Sequence, residues 1–293
     1  MNNDRRDDRY YCIDCLRCFL CMTIVFFHIV HGAIQGYCSD VRIYDILYQR
    51  LDWANEGVNC FLIIGGFFLY DSYIKHHEKP FFIFFWMRFF RIWPVLAFSV
   101  VISFFFWKMK FENALFELTL LNCTGISLIY KGITWYVAPF FWSSVLLMSI
   151  LRLFEKKAPL IIGILCYFGF LVNISYTNGG SGREVVFSTI SLGITHCLAG
   201  LALGILINIF IKATFRYLKE ITATSLYKKI LIIIIECITM GLFVGRLLFG
   251  IGQWTNRFMV AILFSIVFSL FILDSYWNLG GWENGLTKPF GRS

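Results

Sequence analysis

Apolar runs about twenty residues long return along the whole of this chain, and each is long enough to cross a hydrocarbon core of about 30 Å as a helix. In lipid a helix satisfies its own backbone hydrogen bonds and an open sheet or loop does not. The runs therefore predict an all-α, polytopic integral membrane protein with eight transmembrane helices, centred near Met22, Ile63, Val100, Ser143, Tyr167, Ala202, Thr239 and Ile266. With 58% hydrophobic and 15% charged residues among 293, and a mean hydropathy of +0.70, the chain is too apolar for a soluble globular protein of this length. The first run is long and contains His28, and further spans need it as a packing partner, so it is expected to stay as the first helix and not to be cleaved as a signal. A single transmembrane domain over residues 1–293 follows, with loops too short to hold an appended soluble domain.

Lysine and arginine near span ends favour the cytoplasmic side. With the N-terminus inside, Arg5, Arg6, Arg9, Lys75, Lys79, Arg88, Arg91, Arg152, Lys156, Lys157, Lys212, Arg216, Lys219, Lys228, Lys229, Lys288 and Arg292 all fall on inner segments. The outer segments hold fewer: Arg42, Arg50, Lys108, Lys110, Lys131, Arg183 and Arg257. The expected location is the cell (cytoplasmic or inner) membrane, multi-pass. A basic face beside anionic membrane lipid accounts for the net charge of +8 without a nucleic-acid partner.

The first run, Tyr11 to Gly32, keeps Arg17 and His28 within an apolar helix. An arginine at membrane depth costs at least roughly 2.5–3.5 kcal/mol, so such groups mark function. Eleven residues separate the two. At about 100° and 1.5 Å per residue, that puts them on one helix face roughly 16 Å apart. Cys12, Cys15, Cys18 and Cys21 recur every third residue in the same run, but on a helix they precess around the axis and cannot converge on one metal. Cys38 and Cys123 fall in outer segments and are candidates for pairing in an oxidising compartment.

Further along, Gly65-Gly66 in the second run permits close helix approach. Pro80 to Pro94, mixing aromatics with Arg88 and Arg91, suits an amphipathic helix at the inner interface that turns into the third span at Pro94. Arg88 and Arg91 stand three apart and neighbour each other on a helix, where they either grip a phosphate or snorkel to the interface. Lys108 to Gly132 is half apolar and is expected to dip into or along the membrane. Pro139 is placed to kink the fourth span, which opens Ile133-Thr134-Trp135-Tyr136. His196, Glu236 and Arg246 are further intramembrane polar groups, read first as helix contacts.

Four features occur in order: the Arg17 to His28 spacing, the Gly57-Val58-Asn59 to Gly66-Phe67-Phe68-Leu69 helix, the Arg88-Phe89-Phe90-Arg91-Ile92-Trp93-Pro94 elbow, and Thr134-Trp135-Tyr136. Together these resemble the acyltransferase-3 family, integral-membrane acyltransferases that O-acetylate O-antigen, capsule, peptidoglycan and other glycans. After about Arg152 the resemblance thins to hydropathy, then reappears at Lys288-Pro289-Phe290-Gly291-Arg292-Ser293. In the family a segment like that introduces another helix, usually followed by one more, so the resemblance leads to the expectation that the two final helices are missing here. Gly65 stands where the family usually has Ser, and Asn59 where Asp or Pro is common.

The resemblance implies a membrane-only enzyme that moves an acyl group, by default acetyl, from cytoplasmic acyl-CoA to a sugar hydroxyl of a glycan or lipid-linked glycan acceptor. Acetyl-CoA is then a co-substrate, and no bound cofactor or metal is expected. The resemblance assigns the phosphates of CoA to Arg88 and Arg91, the general base to His28, the pantetheine end or thioester oxygen to Arg17, and the channel lining to Trp135 and Tyr136. The alternatives are a glycan or lipid transporter or flippase, since intramembrane Arg, His and Glu also mark substrate pathways, and a truncated non-catalytic relative.

Overall fold

The structure is a computed structural model and describes residues 11–29, 56–106, 108–125, 133–177, 185–186, 190–222, 234–235, 237–245 and 257–278. Among these, eight helices are numbered here: α1 (Tyr11–Ile29), α2 (Gly57–His76), α3 (Phe81–Phe106), α4 (Phe111–Leu118), α5 (Val137–Phe154), α6 (Ala158–Thr177), α7 (Leu192–Thr222) and α8 (Arg257–Asn278). A two-residue antiparallel ladder pairs β1 (Val185–Val186) with β2 (Ile190–Ser191), Val185 opposite Ser191.

Four stretches of the described residues are long and apolar enough to cross a membrane: Gly57–His76, Phe81–Phe106, Val137–Tyr176 and Leu192–Ala213. Among the described residues these four stand in place of the expected eight spans. The runs near Ser143 and Tyr167 both lie in the single 40-residue stretch Val137–Tyr176. The run near Met22 is the 19-residue α1, which is not one of the four. The run near Ile266 lies in α8, within which Val260–Leu270 is a shorter apolar helix, and part of the run near Thr239 lies outside the described residues.

The chain forms two compact units, each discontinuous in sequence: Met1–Phe61 with Ile211–Trp254 and Ile262–Ser293, and Leu62–Phe210 with Thr255–Ala261. In the first, Ile13, Leu16, Leu20, Thr23 and Phe27 make the buried stripe of α1 at helical spacing. Elsewhere in that unit Phe264 packs on Phe243 and Phe268, with ring centroids 5.3 and 5.6 Å away.

In the second unit α2 and α7 approach so closely that a Cβ on Gly66 would lie 1.9 Å from the carbonyl oxygen of Leu201, and one on Gly204 would lie 2.0 Å from that of Ile63. Lipid offers no hydrophobic gain for packing one apolar helix on another, so such a seam is held by dispersion and by polar contacts that only close approach permits. Asn208, one turn beyond Gly204, supplies one: its Nδ2 donates to the carbonyl oxygen of Phe67 at 2.8 Å and to Asp71 Oδ1 at 3.0 Å. The close-packing reading of the Gly65-Gly66 pair therefore holds at Gly66. Helices α5 and α6 pack together across the short turn Glu155–Lys157, with Leu147, Leu151, Ile162 and Cys166 in one core with Leu201 and Ile205 of α7.

Two proline expectations change. The 26-residue α3 runs without interruption through Pro94, so the interfacial elbow is the first half of one long helix. A carbonyl freed by proline is tolerated in membrane helices when neighbouring groups re-satisfy it. Pro139 sits in the first turn of α5, which follows the 3-10 turn Ile133–Tyr136. A first-turn N–H has no intrahelical acceptor, so proline breaks nothing there.

The described residues after α3 fold back onto it. Helix α4 packs against α3, and Leu96, Val100, Ala114, Leu120, Ala138 and Phe141 form one core. The C-terminus of α4 closes with Leu121 N donating to Phe116 O at 3.0 Å and Leu120 N to Glu117 O at 3.0 Å, with Leu120 left-handed at φ 57°. Two indoles secure the carbonyls that follow: Trp93 Nε1 donates to Leu118 O at 3.0 Å and Trp142 Nε1 to Leu120 O at 2.8 Å. Irregular backbone packed against membrane helices persists only when its polar groups are covered and paired in this way.

Candidate functional site

Arg17 and His28 both lie on α1, in the first unit. Arg17 and His28 directly follow the buried Leu16 and Phe27, so each rides at the edge of the buried stripe and is itself partly exposed. Their shared face is therefore realised. Arg17 Nη1 lies 3.4 Å from Asp14 Oδ1, an i,i+3 pair that shares the cation with a carboxylate one turn earlier. His28 has the ring of Phe27 edge-on at 5.3 Å.

Helix α2 meets α1 just below the histidine: a Cβ on Gly57 would stand 3.0 Å from the side chain of Ile24, one turn before His28. Glu56, only 2% exposed, precedes that glycine, and Asn59 Nδ2 donates to Glu56 Oε2. A buried carboxylate thus opens α2 beside the part of α1 that carries the imidazole. Sequence reading missed Asp14 and Glu56. The i,i+3 spacing of Asp14 from Arg17 was the available signal for the first, and nothing local marked Glu56 as buried.

The remaining candidates belong to the second unit. Arg88 and Arg91 share α3, but Arg91 is exposed whereas Nε and Nη2 of Arg88 are buried and have no hydrogen-bond partner among the described residues. The Arg88 guanidinium lies 4.6 Å from the ring centroid of Phe140 on α5. A cation over a desolvated ring gains roughly 2 kcal/mol, but the ring face does not accept the in-plane N–H groups. Leaving guanidinium donors buried and unpaired costs more than a neutral hydrogen bond recovers, and an anion at this place would relieve that cost. Phe140 could not have been read from the sequence as the partner of Arg88, because 52 residues separate them.

Trp135, 6% exposed, and Tyr136 occupy the 3-10 turn that leads into α5. Trp135 packs on the buried His196 of α7, with ring centroids 6.2 Å apart, and Cys197 Sγ donates to the carbonyl oxygen of Tyr136 at 3.8 Å. The pair therefore anchors the start of α5 against α7, and His196 makes the helix contact expected of it. Cys15, Cys18 and Cys21 are exposed along α1. Cys123 is buried beside Asn122, whose Nδ2 donates to Glu117 Oε1 at 2.5 Å; Cys38, Glu236, Arg246 and Lys288 to Ser293 lie outside the described residues.

A sequence profile described as an acyltransferase domain matches residues 10–292. The chain belongs to the acyltransferase-3 family. Membership over that length, with helices apolar enough to span, makes it a membrane acyltransferase in the general sense. No curated relative and no solved structure matches the chain.

Proposed function

We propose that this acyltransferase moves an acyl group, by default acetyl, from cytoplasmic acyl-CoA to a sugar hydroxyl of a cell-surface polysaccharide or its lipid-linked precursor. It works in the cell (cytoplasmic or inner) membrane with its N-terminus inside. The observation that carries the reading is Arg88, whose buried Nε and Nη2 have no hydrogen-bond partner among the described residues. In this reading Arg88 takes a phosphate oxygen of CoA and the exposed Arg91, one turn on, adds a second charge at the same end of α3. Trp135 and Tyr136 contribute the aromatic wall on the path of the acyl chain.

His28 acts as general base. The acceptor hydroxyl gives its proton to the imidazole while its oxygen attacks the thioester carbonyl. The C–S bond then breaks, CoA leaves as thiolate, and that thiolate is protonated by the imidazolium or by water. Arg17, tempered by Asp14, stabilises the negative charge that develops on the thioester oxygen. A positioned base of this kind contributes typically ~10²–10⁴-fold.

The test is transfer of label from acetyl-CoA to total glycan in membranes that carry the chain, comparing wild type with His28→Ala and Arg88→Met. Label reaching glycan in the wild type and lost in both variants, at unchanged membrane insertion, supports the assignment. Full transfer by either variant removes that residue's role. Glycan movement across the membrane without any dependence on acyl-CoA would replace the enzyme reading by transport.

A further inference from the structure

Arg152 closes α5, and by charge alone it is one more basic residue at a span end. Its contacts are more specific. Nη1 donates to the carbonyl oxygen of Lys79 at 2.6 Å and Nη2 to that of His76 at 3.1 Å, so one guanidinium spans the turn between α2 and α3. His76 is the last residue of α2, and its carbonyl is among those a helix leaves without an intrahelical partner. The same guanidinium lies 5.9 Å from the ring centroid of Phe81, the first residue of α3.

Phe81, Phe85 and Arg88 follow at i, i+4 and i+7, a single stripe of α3. Each member of that stripe meets α5. Phe81 meets Arg152, Phe85 meets Phe141 at 5.3 Å between ring centroids, and Arg88 meets Phe140 at 4.6 Å. Arg152 therefore grips the end of the stripe on which Arg88 rides, and fixes both the rotation of α3 and its slide along α5.

We propose that Arg152 is a positioning residue for the anion site at Arg88: its fork holds the α2–α3 turn so that the Arg88 guanidinium sits on Phe140 with Nε and Nη2 left to an anion. The proposal rests on the reading that Arg88 takes a phosphate of the acyl donor. Lysine at position 152 keeps the charge but offers a point ammonium, which cannot hold two carbonyls in the planar geometry of the fork. The clamp predicts that shape matters at this position as much as charge.

The experiment uses the full chain, purified in detergent, as wild type, Arg152→Gln, Arg152→Lys, Arg88→Met and the Arg88→Met/Arg152→Gln double variant. Binding of CoA, KM for acetyl-CoA, kcat and the unfolding temperature are measured for each. Arg152→Gln is expected to weaken CoA binding and raise KM by ~10- to 100-fold, the scale of a misplaced binding group. In the Arg88→Met background it adds nothing further, because its action passes through Arg88. Arg152→Lys falls between wild type and Arg152→Gln, and serves as the readable variant if Arg152→Gln does not fold. A lower unfolding temperature with KM and CoA affinity unchanged would overturn the proposal, as would an effect of equal size with and without Arg88.

If the wild type binds no CoA, the donor reading fails by itself, and the same cycle is read with inorganic pyrophosphate through the unfolding temperature. Stabilisation by pyrophosphate that is lost in both single variants keeps the clamp for an anion other than CoA. No stabilisation by either probe overturns the clamp as well.

Discussion

Gly66→Ala is the substitution whose consequence can be worked most directly from the packing. The new Cβ would stand 1.9 Å from the carbonyl oxygen of Leu201, 2.7 Å from its carbonyl carbon and 2.8 Å from its Cα, whereas real Cβ atoms essentially never come within 3.0 Å of such neighbours. The obstacle is helix backbone and cannot rotate away, so α2 and α7 must part by at least the 1.1 Å difference between 3.0 and 1.9 Å. A displacement of that size along the seam would stretch the two bonds of Asn208 Nδ2 to about 3.9 and 4.1 Å, beyond hydrogen-bond range. Overpacking costs about 1–3 kcal/mol, and a buried amide left without partners costs a similar amount, with measured membrane values at the lower end.

Together these predict a loss of about 2–5 kcal/mol. The assay is unfolding in mixed micelles titrated with denaturing detergent, followed by helical signal and by protease resistance. Gly163→Ala in α6 is the matched control: nothing lies within 4 Å of its added Cβ, and alanine gains up to ~1 kcal/mol of helix propensity. If Gly66→Ala unfolds within about 0.5 kcal/mol of wild type, the ordinary range for uncoupled substitutions, α2 and α7 do not approach as described.

Two further outcomes are expected. Trp93→Phe combined with Trp142→Phe leaves the carbonyls of Leu118 and Leu120 without their indole donors, at about 1–3 kcal/mol each, so the α4 hairpin opens and the buried Cys123 becomes reactive to maleimide at a measurably higher rate; an unchanged rate would mean that the indoles do not hold the hairpin. A lipid-permeant maleimide applied to native membranes should modify Cys15, Cys18 and Cys21 and spare Cys60, Cys166 and Cys197 until the chain is denatured, read by mass spectrometry of the peptides; early labelling of the buried set would contradict the packing of α2, α6 and α7.

The sequence by itself determined the solvent, the element type and the chemistry on offer. Apolar runs with no open alternative in lipid required helices, and α1, α2, α3, α5, α6 and α7 stand where those runs lie. Helical periodicity alone put Arg17 and His28 on one face, because that relation needs nothing beyond the 3.6-residue repeat. The Gly65-Gly66 pair announced a close approach for the same local reason.

Partners distant in the chain were decided only by the tertiary structure. Gly66 meets Leu201, Arg88 finds Phe140, and Arg152 reaches back to His76 and Lys79, each a contact between separate helices that local pattern does not encode. The fate of Pro94 and Pro139 was settled there too, since whether a proline breaks a helix depends on where that helix starts and on what covers the freed carbonyl. The two arginines that look equivalent in sequence part company for the same reason. The neighbouring helix buries the donors of Arg88 and leaves Arg91 exposed, and burial is a property of the packed whole that neither residue carries alone.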